Sequence, residues 1–143
     1  LLGRDEAGRD RLRERLRIGL HQNTQVTAFD CTHTVSQAYC SALPVAYSDQ
    51  SAELWEEFAR LVLEATYEAT LRAAKINAAQ SGNKTVYLTL LGGGAFGNET
   101  AWIVESLERA LGLVASEGLD VVIVSHAAPN PAIAHLIDEG ESR

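Results

Sequence analysis

The sequence predicts an α/β fold in which parallel central strands alternate with helices. Two short apolar runs, Val86–Leu91 and Val121–Ser125, have strand composition. Two longer segments, Leu54–Asn77 and Glu99–Ser116, repeat apolar residues at three- and four-residue steps, as amphipathic helices do. Alternation of such strands and helices is typical of layered domains with right-handed crossovers. The length of 143 residues suits one domain.

Residues 1–15 form a charged amino-terminal segment. Leu12 and Leu16 stand four residues apart and predict a helix with a thin apolar stripe. Asp10 and Glu14 can neutralise neighbouring arginines at helical spacing, so we expect a solvated face and consider an anion-binding patch the weaker interpretation. The arginines concerned are Arg9, Arg11, Arg13, Arg15 and Arg17.

Two extended runs come next, separated by the loop Ala28–Thr34. Leu16–Thr27 alternates apolar and polar residues, which predicts an exposed or edge strand. Val35–Tyr47 predicts a second strand that ends before Pro44, because proline cannot donate into a sheet ladder.

The carboxyl-terminal half supplies the predicted core. The apolar run Val121–Ser125 is of the kind that is buried on both faces. Gly118 provides a stop for the preceding helix. We expect the helix carboxylates Glu64, Glu68, Glu105 and Glu108 to be solvated. Only two strands have the pattern of double-faced burial, so the sheet looks like part of a larger one.

The charge balance argues against several function classes. The net charge is −7, and the acidic excess lies after residue 17. An acidic body repels a polyanion, which disfavours nucleic-acid binding. No apolar run approaches the length needed to cross a bilayer, so we expect no membrane partner. Cys31 and Cys40 are too few for a disulfide framework and suit a reducing compartment, which predicts a cytoplasmic location.

A glycine-rich turn between a buried strand and a helix start is the most informative feature. It comprises Gly92, Gly93, Gly94, Ala95, Phe96, Gly97 and Asn98. Glycine lets the backbone approach a ligand and adopt positive φ, and amides at the start of a helix bind phosphate without lysine. A bland tight turn is the alternative, but it needs only one or two glycines. Phe96 is either an inward anchor or a platform for a ribose or base.

Known phosphate motifs match this turn only in part. Gly92, Gly94 and Gly97 fit the spacing of a dinucleotide fingerprint. That fingerprint expects an acidic residue at the end of the next strand, where this chain has Ser125 and His126. A Walker loop also fails, because no Gly-Lys-Ser/Thr follows. His126 follows the last core strand at the edge where α/β domains place ligands, so it is a candidate contact.

The segment Leu88–Asn98, followed by a helix and by Asp120–Ser125, resembles the carboxy-terminal half of a macrodomain. In that family one loop carries a five-residue motif, which reads small residue, Gly, any residue, Phe or Tyr, Gly. Gly93–Gly97 matches this motif here. The segments CSALPVAYS and FARLVLEATYEATL are similar to a little-characterised macrodomain-like group. The resemblance covers roughly residues 16–131 and leaves 132–143 as a polar tail.

The resemblance implies a three-layer α/β/α fold, with an incomplete sheet, that binds ADP-ribose or a related nucleotide. The ligand contacts it implies are Gly92, Gly93, Gly94, Ala95, Phe96, Gly97 and Asn98, and we add Ser125 and His126. We expect no metal and no cofactor.

Hydrolysis of ADP-ribosyl groups in the family depends on a first glycine-rich loop that residues 1–30 lack, so an activity would need that loop from elsewhere. The alternative hypothesis is a non-catalytic half-domain that completes its sheet with a partner chain, by self-association or with a missing amino-terminal segment.

Overall fold

The computed structural model describes residues 5–125, 128 and 131–141. It has a mixed α/β fold, which confirms the predicted class at that level. The helices and strands, in chain order, are α1 (Glu6–Arg13), β1 (Gly19–Gln25), β2 (Thr34–Tyr39), α2 (Ala52–Ser81), β3 (Thr85–Thr89), α3 (Thr100–Val114), β4 (Asp120–Val124) and α4 (Pro131–Glu141).

The described strands form two separate two-stranded sheets. β1 and β2 pair antiparallel, with an irregular register between His21 and Thr24. β3 and β4 pair parallel, from Thr85 opposite Asp120 to Thr89 opposite Val124. The parallel arrangement of the two apolar strands confirms the prediction, because α3 carries the chain from one strand back to the start of the other.

The core lies between the two long helices and one face of the β3–β4 sheet. Alternate residues of both strands face the helices: Leu88 is buried, and Val86, Val121 and Ile123 are partly buried against the same cluster. The helices contribute its largest members, which are Leu63, Tyr67, Leu71, Trp102, Ile103 and Leu107. A strand places successive side chains on opposite faces, so the remaining residues of each strand point away from this core.

The opposite face of the β3–β4 sheet is open in the described residues. Tyr87 is 70% exposed, Val122 is 43% exposed and Val124 is 46% exposed. The prediction that residues 121–125 are buried on both faces is therefore wrong for this structure. Apolar composition predicted burial on both sides, whereas α2 and α3 cover only one.

The β1–β2 hairpin is exposed on both faces. Thr24 is the one partly buried residue among its strand positions, and Leu20 and Tyr39 are about half exposed. The predicted exposed strand in residues 16–27 is thus confirmed, and the second strand ends at Tyr39, before Pro44, as expected.

The charged helix α1 docks on α2 through ion pairs. The Arg13 side chain is 4% exposed and lies 2.6 Å from Asp10 and 2.6 Å from Glu64. Burial disfavours the charged guanidinium, but the hydrogen bonds that it donates to Glu6, Glu64 and Asp10 outweigh burial and raise the pKa of Arg13 above its usual value. The expectation of a solvated arginine face is therefore wrong for Arg13.

Two of the helix carboxylates also differ from expectation. The Glu64 side chain is 13% exposed and the Glu68 side chain is 16% exposed. Glu64 binds the arginines of α1, and Glu68 binds Arg109 of α3 at 2.9 Å. Helical periodicity placed these residues beside the polar face, but it could not show that α1 lies across them.

The segment predicted as a polar tail, residues 132–143, lies largely in α4. Ile133 is 4% exposed and belongs to the main core cluster. None of the helices in the described ranges has the length and apolar character required to cross a bilayer.

Candidate functional site

The tyrosine Tyr67 of α2 fixes the point at which β3 ends. Its hydroxyl donates to the carbonyl of Thr89 at 2.9 Å and accepts from the amide of Leu91 at 2.8 Å. The side chain is 1% exposed, and burial raises its pKa to about 12. The backbone groups on either side of Leu90 are therefore satisfied by one buried hydroxyl just before the glycine-rich turn begins.

The glycine loop, defined as Gly92–Asn98, turns through three left-handed glycines. Gly92 has φ of 76°, Gly94 has φ of 72° and Gly97 has φ of 68°. A short 3₁₀ turn, Gly94–Phe96, lies between them. Side chains with a Cβ rarely adopt positive φ, so all three positions favour glycine on conformational grounds alone.

Two of these glycines are also required by packing. A Cβ on Gly92 would lie 2.6 Å from the Cβ of Ala42, and one on Gly97 would lie 2.7 Å from the Cβ of Ala46. Both alanines belong to the connection between β2 and α2. The absence of a Cβ at Gly92 and Gly97 therefore lets the glycine loop press against that connection.

The buried side-chain amide of Asn98 connects the end of the glycine loop to its start. Its Nδ2 donates to the carbonyl of Leu43 at 2.7 Å and to that of Gly92 at 3.3 Å, and its backbone amide donates to Gly92 at 3.0 Å. Asn98 is 7% exposed, and its Oδ1 has no hydrogen-bond partner in the described structure. Asn98 thus holds the loop to the β2–α2 connection rather than presenting itself to solvent.

The ring of Phe96 is half-buried against the edge of the core. It meets the ring of Tyr47 edge to face, with centroids 5.9 Å apart. Tyr47 is 71% exposed. Phe96 therefore packs against the core and also contacts an exposed aromatic ring, and its use as a platform for a ribose or base stays a prediction.

The middle of the loop is open. Gly93, Gly94 and Ala95 are exposed, and a Cβ on Gly94 would meet no atom of the described residues within 4 Å. Within residues 5–125, the amides of Gly94 and Ala95 have no hydrogen-bond partner. A ligand on these amides would rest on the surface of the loop.

The start of α3 lies directly after the loop. Its N-cap residue, Glu99, makes no side-chain capping bond, so Glu99 leaves the first amides of the helix without the acceptor that an N-cap side chain can provide. Oriented amides at a helix start carry partial positive charge. The negative charge closest in sequence to these amides is the carboxylate of Glu99.

The parallel register brings a further candidate to the same edge. Thr89 pairs with Val124, so Ser125 begins its loop beside the residues that lead into Gly92. Ser125 is exposed. His126, also a candidate contact, lies outside the described residues.

The metal-ligating side chains do not converge. No group of three or more His, Cys, Asp or Glu residues that could hold a metal ion occurs within the described ranges. Cys31 and Cys40 are both free thiols.

Sequence reasoning missed the residues that support the loop. Tyr67 is one polar aromatic among alanines and leucines on α2, and Ala42 and Ala46 read as ordinary loop residues. The signal for Tyr67 was its position on the buried face of the helix, since a buried tyrosine hydroxyl needs a polar partner.

Comparison with protein-family models gives no match to this chain, and searches of curated proteins and of solved structures give no significant match either. Membership of the macrodomain family therefore stays a prediction from the loop and its flanking strands.

Proposed function

We propose that this chain binds ADP-ribose or a related nucleotide diphosphate on the glycine loop. The observation that carries the proposal is the exposed Gly94, whose φ is 72° and whose Cβ direction is open as far as the described residues extend. Positive φ favours glycine at all three positions, and packing adds a second reason at Gly92 and Gly97. At Gly94 the missing side chain instead leaves the backbone accessible, which allows a ligand to approach it closely.

The ligand class follows from the groups around Gly94. The exposed amides of Gly94 and Ala95 and the uncapped start of α3 are donors, which favours an anion with several acceptor oxygens. The chain is acidic, with a net charge of −7, which favours main-chain donors over cationic side chains for holding an anion. The exposed ring of Tyr47 beside Phe96 offers a surface for a ribose or base.

Calorimetric titration with ADP-ribose tests the proposal. We expect Gly94→Glu to weaken binding by roughly 30- to 1,000-fold, because a carboxylate placed against the diphosphate costs ~2–4 kcal/mol. Inorganic pyrophosphate should compete with ADP-ribose, whereas adenosine without phosphate should compete poorly.

A matched control is available in Gly82. It also has positive φ, 77°, and an open Cβ direction, but it caps the far end of α2. Gly82→Glu adds the same charge and the same backbone strain and should leave ADP-ribose binding unchanged. The proposal fails if the wild-type chain shows no binding at millimolar ADP-ribose, or if Gly94→Glu binds as the control does.

A second candidate function is supported by the open sheet. Parallel sheets are normally covered on both faces, whereas Tyr87, Val122 and Val124 leave the outer face of β3–β4 exposed. We infer that a non-catalytic assembly role, in which a partner completes the sheet and supplies a third layer, would cover this face. That layer would give the three-layer α/β/α arrangement.

Sedimentation velocity separates the two functions. A monomer of about 15.5 kDa at all concentrations, with no binding of a hydrophobic dye, would contradict the assembly role. Self-association that is reduced by Val122→Thr, an exposed change of similar volume, would support it.

A further inference from the structure

The space between β2 and β3 is bounded by two unpaired strand edges. Each strand pairs on one side only among the described residues, β2 with β1 and β3 with β4. Residues 36–40 and 87–89 nevertheless line one common cleft of about 400 Å³. Strands that pair directly lie about 4.8 Å apart and leave no such space.

Both strands run in the same direction across α2. Ser36 bonds Asn77 at 2.9 Å and Cys40 lies 3.9 Å from Thr70, so β2 runs against the helix. β3 begins just after the end of α2 and reaches the Tyr67 hydroxyl at Thr89, so it also runs against the helix. The two edges therefore face each other as neighbours in a sheet would, with α2 beneath them.

The described side chains that line the cleft carry no charge. They are Ser36, Gln37, Ala38, Tyr39, Cys40, Tyr67, Thr70, Tyr87, Leu88, Thr89 and Leu91. In a chain with 22% charged residues, this composition favours a neutral occupant. Tyr67 and Thr70 on the helix side suit small apolar side chains, whereas the exposed rings of Tyr39 and Tyr87 suit larger ones.

We propose that an extended, uncharged peptide strand from a partner inserts between β2 and β3. Its backbone would bond to both edges, and its side chains would alternate between α2 and the tyrosines, as in recognition by strand addition. One strand would join the two small sheets into a continuous sheet of five. This inference rests on the assembly function, to which it gives a location, and it is independent of ADP-ribose binding.

Selection from a random nonapeptide library displayed on phage tests the inference, with hydrogen exchange as the readout. In the free chain we expect the amides of β2 and β3 that face the cleft to exchange rapidly. A selected peptide, made synthetically, should slow exchange on both edges by ~10-fold or more.

Ala38→Arg places a charge in the neutral cleft at an exposed position and should weaken peptide binding ~10-fold or more. Thr34→Arg is the matched control, because Thr34 is exposed on the same strand outside the cleft. Equal binding by both variants would overturn the inference.

Three further results would overturn the location. They are slow exchange of both edges without peptide, protection that depends only on protein concentration, and failure of the library to yield binders. Peptides whose binding leaves exchange at both cleft edges unchanged and is weakened by Val122→Thr would reject the cleft and still support the assembly function, so the two failures are distinguishable.

Discussion

The glycine loop contains two kinds of glycine, and they differ in what surrounds them. At Gly92 and Gly97 a Cβ would lie within 2.7 Å of a neighbouring alanine Cβ. At Gly94 a Cβ would meet none of the described atoms within 4 Å, although the backbone has nearly the same positive φ. The same residue type therefore serves packing at the ends of the loop and leaves free space at its centre.

This contrast separates stability from binding within seven residues. A substitution at either end of the loop should lower the free energy of unfolding, because the β2–α2 connection has to move. A substitution at the centre should mainly lower the affinity for a ligand. The glycine loop can accordingly be tested without confusing loss of structure with loss of function.

The largest expected effect is on the free energy of unfolding of Gly92→Ala. The new Cβ would strike Ala42 and the Asn98 amide, 2.5 Å away, and positive φ adds strain. Overpacking and a left-handed Cβ together should cost about 3–5 kcal/mol, measured by urea denaturation.

Gly94→Ala is the control for that prediction. It carries the same conformational penalty without the collisions and should cost about 1–2 kcal/mol. If the two variants lost equal stability, the collisions at Gly92 would be relieved by small movements, and the contrast between the two kinds of glycine would disappear.

Tyr67→Phe should have an intermediate effect on the free energy of unfolding, because Tyr67 supports the buried end of the glycine loop. Removing the hydroxyl leaves the Thr89 carbonyl and the Leu91 amide without a partner, which should cost about 1–3 kcal/mol in unfolding free energy.

The variant should also change the pH dependence of stability. The folded-state pKa of Tyr67 is about 12, above its usual value of 10.0, so the neutral phenol is favoured by folding. Its contribution is complete below pH 10 and is lost as the pH rises through 12, by roughly 3 kcal/mol. Denaturation at pH 9 and pH 11.5 should show a steeper loss in the wild type than in Tyr67→Phe. Parallel losses would contradict the assigned role of burial.

The strand–helix–strand path from β3 to β4 was predictable from sequence because its apolar period is strong. The exposed hairpin and the end of β2 before Pro44 were predictable for the same local reasons. The prediction for residues 121–125 was wrong, because composition shows that residues are apolar but does not show which faces of the sheet other elements cover.

The support of the loop was not predictable, since it depends on contacts between distant segments. Asn98 reaches Leu43 across 55 positions, and Arg13 reaches Glu64 across 51. Periodicity within one helix or strand contains no information about such pairs. The glycine pattern predicted the position of the loop but could not tell which glycines pack and which stay open.

The smallest expected effect is a change in the affinity for ADP-ribose on substitution of Glu99, at the exposed start of α3. This exposed carboxylate stands at the N-cap of α3 without making a capping bond. A negative charge there competes with a phosphate for the same amides, so Glu99→Gln should tighten ADP-ribose binding by 0.3–1 kcal/mol, about two- to five-fold. The gain should shrink in high salt, because exposed charges are screened. Glu108→Gln, an exposed change later on the same helix, is the control for net charge. Equal gains in both variants would show that the chain's overall charge acts on the ligand, and that the start of α3 has no special part in binding.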